Sequence, residues 1–323
     1  TYVLQITEND MIYFGGEENI YQVRRLAGKL KAYTLDELIS YSEKQIKAYM
    51  DRSRLNIEDA EFQKVVDLNK RIVFSMTDEG GVTFGAINRL YHLIWIRDTM
   101  MSSSMLALSG NPYLLERTYP FILNSPSTIK RLYGFEYRQY LQLAGTKWCK
   151  NENDGLFYLV YGLYNLYQTT GNDTYLYSEE LTKVTDAVDY SIKTQYDTGE
   201  RMFGSDTIGE TALRSSPFFG YDAVNGQMDE YRDPQGKYRG RNVAYCYSIY
   251  HNINMYNVLR MLEVLINASP DMDSYMAEKY GRLASTLKES IKSRFINKDG
   301  IYRVAYLVLD NGERVWQEEL HNP

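Results

Sequence analysis

Gly155-Leu156-Phe157-Tyr158-Leu159-Val160-Tyr161-Gly162-Leu163-Tyr164-Asn165-Leu166-Tyr167-Gln168-Thr169-Thr170, followed by Gly171-Asn172-Asp173, is the stretch that decides the fold. From Phe157 to Tyr161 it is hydrophobic nearly all round, the pattern of a helix buried on all sides. Gly171 then supplies a left-handed C-cap, and Asn172-Asp173 opens a second helix. The second helix is amphipathic, with Val184, Ala187, Val188 and Ile192 facing in and Lys183, Asp186 and Asp189 facing out. The same grammar occurs earlier, where Arg97 to Ser109 ends at Gly110 and Asn111-Pro112 begins the next helix, 61 positions before Gly171. A looser third copy runs from Asn242 to Asn267, turns at Ser269-Pro270-Asp271 and continues to about Phe295. Its second helix carries Met276, Tyr280, Leu283, Leu287, Ile291 and Phe295 on one stripe. Buried helices alternating with amphipathic ones predict stacked αα-hairpins in a double-ringed, all-α toroid.

Upstream of the repeat, Thr34 followed by Glu37 is a capping box that predicts a helix through about Met50. A further helix is expected from Asp59 to Met76, with Phe62, Val65, Val66, Ile72, Val73 and Met76 on one side. The first 22 residues differ. Tyr2 to Ile6 and Met11 to Phe14 read as short strands, broken by Glu8-Asn9-Asp10 and Gly15-Gly16. Two strands alone are marginal in water, so they are expected to belong to a larger sheet. The expected organisation is a β segment and linker over 1–33, a linker helix over 34–58, and toroid over 59–323.

Bulk properties narrow the function. With 44% hydrophobic and 24% charged residues the chain falls among ordinary globular proteins. A net charge of −6 without a basic stripe argues against a nucleic-acid groove. No apolar run approaches the roughly 18 residues that span a bilayer, so no membrane partner is expected. The chain begins at Thr1 with no signal-like segment, which implies that any export signal has already gone. Cys149 and Cys246 suit neither a metal site nor a disulfide framework and are expected in the core. His92, His251 and His321 are too scattered for a metal site, so no metal or organic cofactor is implied. The 31 tyrosines mostly fill helix interfaces, yet their flat faces and polar tips also suit carbohydrate-like ligands.

Turns within each hairpin are short, whereas the connections between hairpins, about 77–96, 124–154 and 198–241, are long. Long connections in a compact domain usually carry function. All three are expected at the face where the inner helices begin, where helix N-termini direct N–H groups toward a funnel. They hold Trp95-Ile96-Arg97-Asp98, Asn153-Asp154-Gly155 and Ser205-Asp206-Thr207-Ile208-Gly209-Glu210-Thr211. A sugar needs paired polar partners for its hydroxyls and an aromatic wall for its C–H faces. Arg97, Asp98, Asn153, Asp154 and Asp206 supply the first and Trp95 the second. The plainer reading makes Asp98 and Asp154 helix N-caps and Arg97 an ion-pair partner. Glycoside cleavage needs two carboxyl groups, one to protonate the leaving oxygen and one to activate water or attack the sugar. Glu210 lies in a Gly/Ser/Thr-rich stretch with few bases before Arg214, which suits a carboxyl held partly neutral. Asp206 and Asp222 are rivals on the same connection.

At these residues the chain resembles the six-hairpin (α/α)6 glycosidase superfamily, and within it the glucoamylase-like toroids. That family has Trp/Tyr-x-Arg-Asp at the start of its second helix, matched by Trp95-Ile96-Arg97-Asp98, and Asn-Asp-Gly at its fourth, matched by Asn153-Asp154-Gly155. The resemblance implies sugar contacts at Arg97, Asp98 and Asp154, and a catalytic acid between the fifth and sixth helices, where Glu210 stands. The aromatic-Glu context usual for that acid is missing here. The resemblance covers about residues 59–296, and an upstream β-sandwich with a linker helix would account for 1–50.

Seven helices are counted to Phe295 where the full toroid has twelve, and the family's general base comes near the eleventh. Glu318 and Glu319 come too early for that role. The expectation is therefore an incomplete toroid whose missing remainder supplies the base. The implied activity is hydrolysis of a terminal sugar from an oligosaccharide by an inverting mechanism, with an α-glucoside as first substrate and an α-L-rhamnoside next. The implied location is periplasmic or extracellular. Rival readings are a carbohydrate-binding toroid without catalysis and a helical scaffold that binds proteins.

Overall fold

The computed structural model describes residues 28, 32–52, 57–77, 96–123, 154–205, 207–208, 211–212, 221–222, 227–228, 243–309 and 311–317. The chain divides into two units, Thr1–Arg71 and Ile72–Pro323. The expected strands over 1–22 lie outside the described residues.

In the first unit, α1 (Leu35–Arg52) starts where the capping box requires. The Thr34 N–H and hydroxyl donate to Glu37 Oε2 at 2.7 and 2.9 Å, and the Glu37 N–H donates to Thr34 Oγ1 at 3.3 Å. α2 (Ala60–Ser75) runs across the division between the units. Asp59 caps it by accepting from the N–H groups of Glu61 and Phe62 at 2.9 and 3.0 Å. On its apolar side, Phe62, Val65 and Ile72 are exposed.

The second unit is the all-α toroid-like array that the repeat predicts. Its hairpins are α3 (Ile96–Leu108) with α4 (Pro112–Leu123), α5 (Gly155–Thr170) with α6 (Ser178–Gln195), and α7 (Ile249–Ala268) with α8 (Ser274–Ser290). Helix α5 packs against α3 on one side and α7 on the other, forming an inner row of first members. Gln168 is its one exposed residue. Gly110 and Gly171 end α3 and α5 at φ 98° and 66°, a conformation that costs glycine least. Both C-caps close backbone bonds, from Gly171 to Tyr167 O at 2.8 Å and from Asn111 to Leu106 O at 2.9 Å. One apolar core joins all three hairpins, from Ile96 and Met100 through Leu159 and Leu163 to Leu262 and Tyr280.

Two helix starts differ from expectation, each because a distant segment intervenes. Asn172 does not open α6; its Oδ1 accepts from the Thr174 N–H at 3.0 Å in a turn. The helix begins at Ser178, whose N–H and Oγ donate to Asp271 at 2.8 Å each, across to the loop between α7 and α8. Ser269 of that loop donates to Leu176 O. Likewise residues 243–248 are not helix but strand β7 (Val243–Ser248). Earlier in the chain, β1 (Tyr196–Asp197), β2 (Met202–Phe203), β3 (Thr207–Ile208), β4 (Thr211–Ala212), β5 (Tyr221–Asp222) and β6 (Gln227–Met228) pair consecutively as three separate short antiparallel ribbons.

Beyond α8, β8 (Ala305–Leu309) and β9 (Arg314–Gln317) complete an antiparallel sheet in the order β7-β8-β9. Alternation sorts its faces. Tyr247, Tyr306 and Trp316 line up across the strands toward the helical core, while Cys246, Ala305, Leu307 and Leu309 form a second apolar cluster. Trp316 stacks on the Tyr306 ring at 4.6 Å and carries the Arg303 guanidinium 4.7 Å from its ring centre. Cys246 is buried as expected; Cys149 lies outside the described residues. Helix α8 passes into a π-helical turn, Ile291–Phe295, which carries Phe295 into the core.

Candidate functional site

The first turns of the inner helices bring three side chains together. Arg97 is the second residue of α3, Asp154 stands just before α5, and Tyr250 is the second residue of α7. Arg97 Nε donates to Asp154 Oδ2 at 2.7 Å. The Tyr250 hydroxyl donates to that same oxygen at 3.0 Å. The Asp154 side chain is 2% exposed and that of Arg97 22% exposed, so the ion pair is set inward.

Asp154 occupies the N-cap position of α5, yet its side chain accepts no capping bond from the helix. The capping reading is therefore corrected, whereas the ion-pair reading of Arg97 holds. A short polar side chain at an N-cap ordinarily satisfies its own helix. Here two donors from neighbouring helices take the carboxylate instead. Asp98 lies within the first turn of α3, not at its cap, and is exposed.

Two further residues frame this cluster. Tyr158, one turn into α5, lies in hydrogen-bond reach of Tyr250. Asn254, one turn below Tyr250 on α7, is buried beside it, with an Nδ2 that closes no well-formed hydrogen bond among the described residues. Burial holds the Tyr250 hydroxyl far above the usual phenol range, and the Asp154 charge and the bond with Tyr158 add to this. Burial raises Tyr158 as well. Both phenols thus remain protonated donors across the physiological range. Further along α5, Phe157 and Tyr161 stack at 5.6 Å, both half-buried.

The residues after Tyr250 fix this turn of α7. His251 is buried with Nε2 3.0 Å from Gln195 Oε1 at the end of α6. Asn252 clamps β2, accepting from the Phe203 N–H at 2.8 Å and donating to Phe203 O at 2.9 Å. Tyr250, His251 and Asn252 therefore tie α7 to three different elements.

Of the residues singled out in the sequence, Arg97, Asp98 and Asp154 are described, and Arg97 joins Asp154. Trp95, Asn153, Asp206 and Glu210 lie outside the described residues, as does the side chain of Asp222. β3 and β4 stand on either side of residues 209–210. Tyr250, Tyr158 and Asn254 were not anticipated. Among the described residues no group of His, Cys, Asp or Glu side chains could hold a metal ion, and no helix is long and apolar enough to cross a membrane.

No protein-family model and no curated protein matches the chain. Solved structures do. A crystal structure of D-mannose isomerase aligns with a TM-score of 0.44 at 14% identity, over 85% of this chain and 63% of that one. A metal-independent α-mannosidase from Streptococcus pneumoniae, in a non-productive complex with α-1,6-mannobiose, aligns with a TM-score of 0.42 at 15% identity, over 87% of this chain and 67% of that one. The chain thus spans less than two thirds of the isomerase's length.

Proposed function

We propose that this chain forms part of a carbohydrate-active toroid, a glycoside hydrolase that removes a terminal sugar from an oligosaccharide. One observation carries the reading: Arg97, Asp154 and Tyr250, from three successive inner helices, meet at the N-terminal ends of those helices. Donors and acceptors held rigidly by a buried scaffold suit a ligand that presents adjacent hydroxyls. The half-buried aromatic face of α5 suits its C–H surface.

Arg97 and Asp98 hold hydroxyls of the terminal sugar in this reading, with Asn153, Asp206 and the wall of Trp95 completing the subsite. Glu210 acts as general acid. It gives its proton to the glycosidic oxygen as the bond from that oxygen to the anomeric carbon breaks. A second carboxylate, assigned to the toroid's remaining helices, takes a proton from water as the water adds to the opposite face. An inverting pair of this kind stands roughly 6.5–9.5 Å apart. The α-glucoside is the first substrate and the α-L-rhamnoside the second, outside the cell or in the periplasm. Residues 1–33 are proposed as the end of a β-sandwich and 34–58 as its linker to the toroid over 59–323.

The test uses the full-length protein and a panel of aryl glycosides. Hydrolysis of at least one, lost by about a hundredfold or more in Glu210→Gln while the sugar still binds, supports the reading. Unchanged hydrolysis in Glu210→Gln removes Glu210 as the acid. A wild type that binds sugar but hydrolyses nothing is a binding toroid.

A further inference from the structure

A buried carboxylate has two oxygens to satisfy, each able to accept more than one hydrogen bond. Asp154, its side chain 2% exposed, satisfies them unequally. Oδ2 accepts from Arg97 Nε at 2.7 Å and from the Tyr250 hydroxyl at 3.0 Å. Oδ1 accepts from no described group. The ordinary local partner is out of reach. With φ −106° and ψ −10°, the Asp154 backbone lies outside the extended region from which an N-cap side chain meets its helix, and no capping bond forms. A single donor leaves a carboxylate able to turn about its Cβ–Cγ bond and exchange its oxygens. Two donors on one oxygen, brought by α3 and α7, remove that freedom. Arg97 reaches the oxygen through a long side chain that is costly to order. Tyr250 needs only two torsions, and the residues after it tie α7 to Gln195 and Phe203. Burial also keeps its hydroxyl protonated, so the donor persists across ordinary pH.

We propose that Tyr250 is a positioning residue, which fixes Asp154 with Oδ2 bound inward and so presents Oδ1 as the acceptor for one ligand hydroxyl. The proposal rests on the carbohydrate reading and deepens it by naming the atom that receives the sugar and the group that holds that atom in place. An acceptor already fixed by the scaffold takes a hydroxyl without further ordering. A ligand that lacks the matching donor leaves this oxygen unpaired and is rejected for that reason.

The probes are glucose, or L-rhamnose where glucose does not bind, and analogues in which fluorine, which cannot donate, replaces each hydroxyl in turn. Binding to the full-length protein is measured by calorimetry. Wild type should bind one analogue about tenfold or more weaker than the parent sugar, the contribution of a hydrogen bond to a charged group. Tyr250→Phe keeps the ring but releases the carboxylate, and should weaken the parent sugar by about tenfold. In Asp154→Asn the two donors hold the amide oxygen inward and turn its NH2 outward, so the penalty on that analogue should vanish. This variant keeps the side-chain shape and carries the test should Tyr250→Phe fold poorly. Adding Tyr250→Phe to Asp154→Asn should cost no further affinity, because Tyr250 acts through Asp154, whereas separate structural roles would give losses that add. Wild-type affinity in Tyr250→Phe, additive losses, or an analogue penalty that survives Asp154→Asn overturns the proposal. So does a wild type that binds the parent sugar and every analogue alike. A wild type that binds neither these nor any glycoside of the panel ends the carbohydrate reading, and this proposal with it.

Discussion

Acid should weaken the folded protein through one buried imidazole. His251 is 1% exposed and contacts Gln195 through Nε2, and burial pushes its pKa down from 6.5 to about 4. The fold therefore favours the neutral ring. In the unfolded chain the ring takes up a proton as pH falls through 6.5, while in the folded chain it resists until about 4. Stability that is fully present above the unfolded pKa is lost progressively over that interval, and no more is lost below it. At about 1.4 kcal/mol per pH unit the interval integrates to a loss of about 3 kcal/mol, a large share of a typical domain's stability.

Urea unfolding followed by circular dichroism between about pH 7 and pH 4.5 measures this directly. His251→Gln keeps a polar side chain facing Gln195 but has no proton to take up. It should start less stable than wild type and show a much flatter pH dependence. The other two histidines are present in both proteins, so they cancel in the comparison. Asp197, lowered by bonds from the Glu200 N–H and the Tyr247 hydroxyl, contributes stability that is present above its unfolded value of 3.8 and is lost as pH falls below it. Parallel stability curves for wild type and His251→Gln over this range would refute the reasoning.

Three further outcomes follow from packing and pairing. Asp154→Leu removes the acceptor that Arg97 Nε and the Tyr250 hydroxyl share and should cost about 3 kcal/mol in chemical denaturation, whereas Asp154→Asn, which keeps an acceptor, should cost about half as much. Gly204→Ala places a Cβ 2.3 Å from the Tyr245 ring and should cost about 1–3 kcal/mol, while Gly162→Ala meets the flexible Met100 Sδ at 2.6 Å and should be milder; thermal melts rank the two. Asp271→Ala removes both acceptors that hold Ser178, so amide exchange at the start of α6 should accelerate while exchange in α5 stays unchanged.

What could be read from the sequence was what neighbours in the chain determine. Thr34 and Glu37 cap one another within one turn, and Gly110 and Gly171 end their helices through backbone bonds to the turn before. Those readings need no tertiary information. The start of α7 does. Val243 to Ser248 is apolar and aromatic enough for either helix or strand, and its partner, Ala305 to Leu309, stands about sixty residues later. The early helix start in turn hid Tyr250. Read from Asn242, the helix places Tyr250 in its interior; read from Ile249, Tyr250 falls at the second position, matching Arg97 in α3. Arg97 and Asp154 stood out because their motifs open helices whose starts were read correctly. The pairing between them was beyond the sequence, since an N-cap aspartate that turns away from its own helix leaves no local mark.

Ser205 and Cys246 exchange both backbone hydrogen bonds at 2.9 Å, so the connection between them starts and returns at a single doorway. With the threshold fastened, lengthening what lies beyond it is cheap, about 0.6 kcal/mol for each doubling in length. Grafted or evolved insertions between these two residues should therefore diversify the protein's reach without disturbing the helices behind the door.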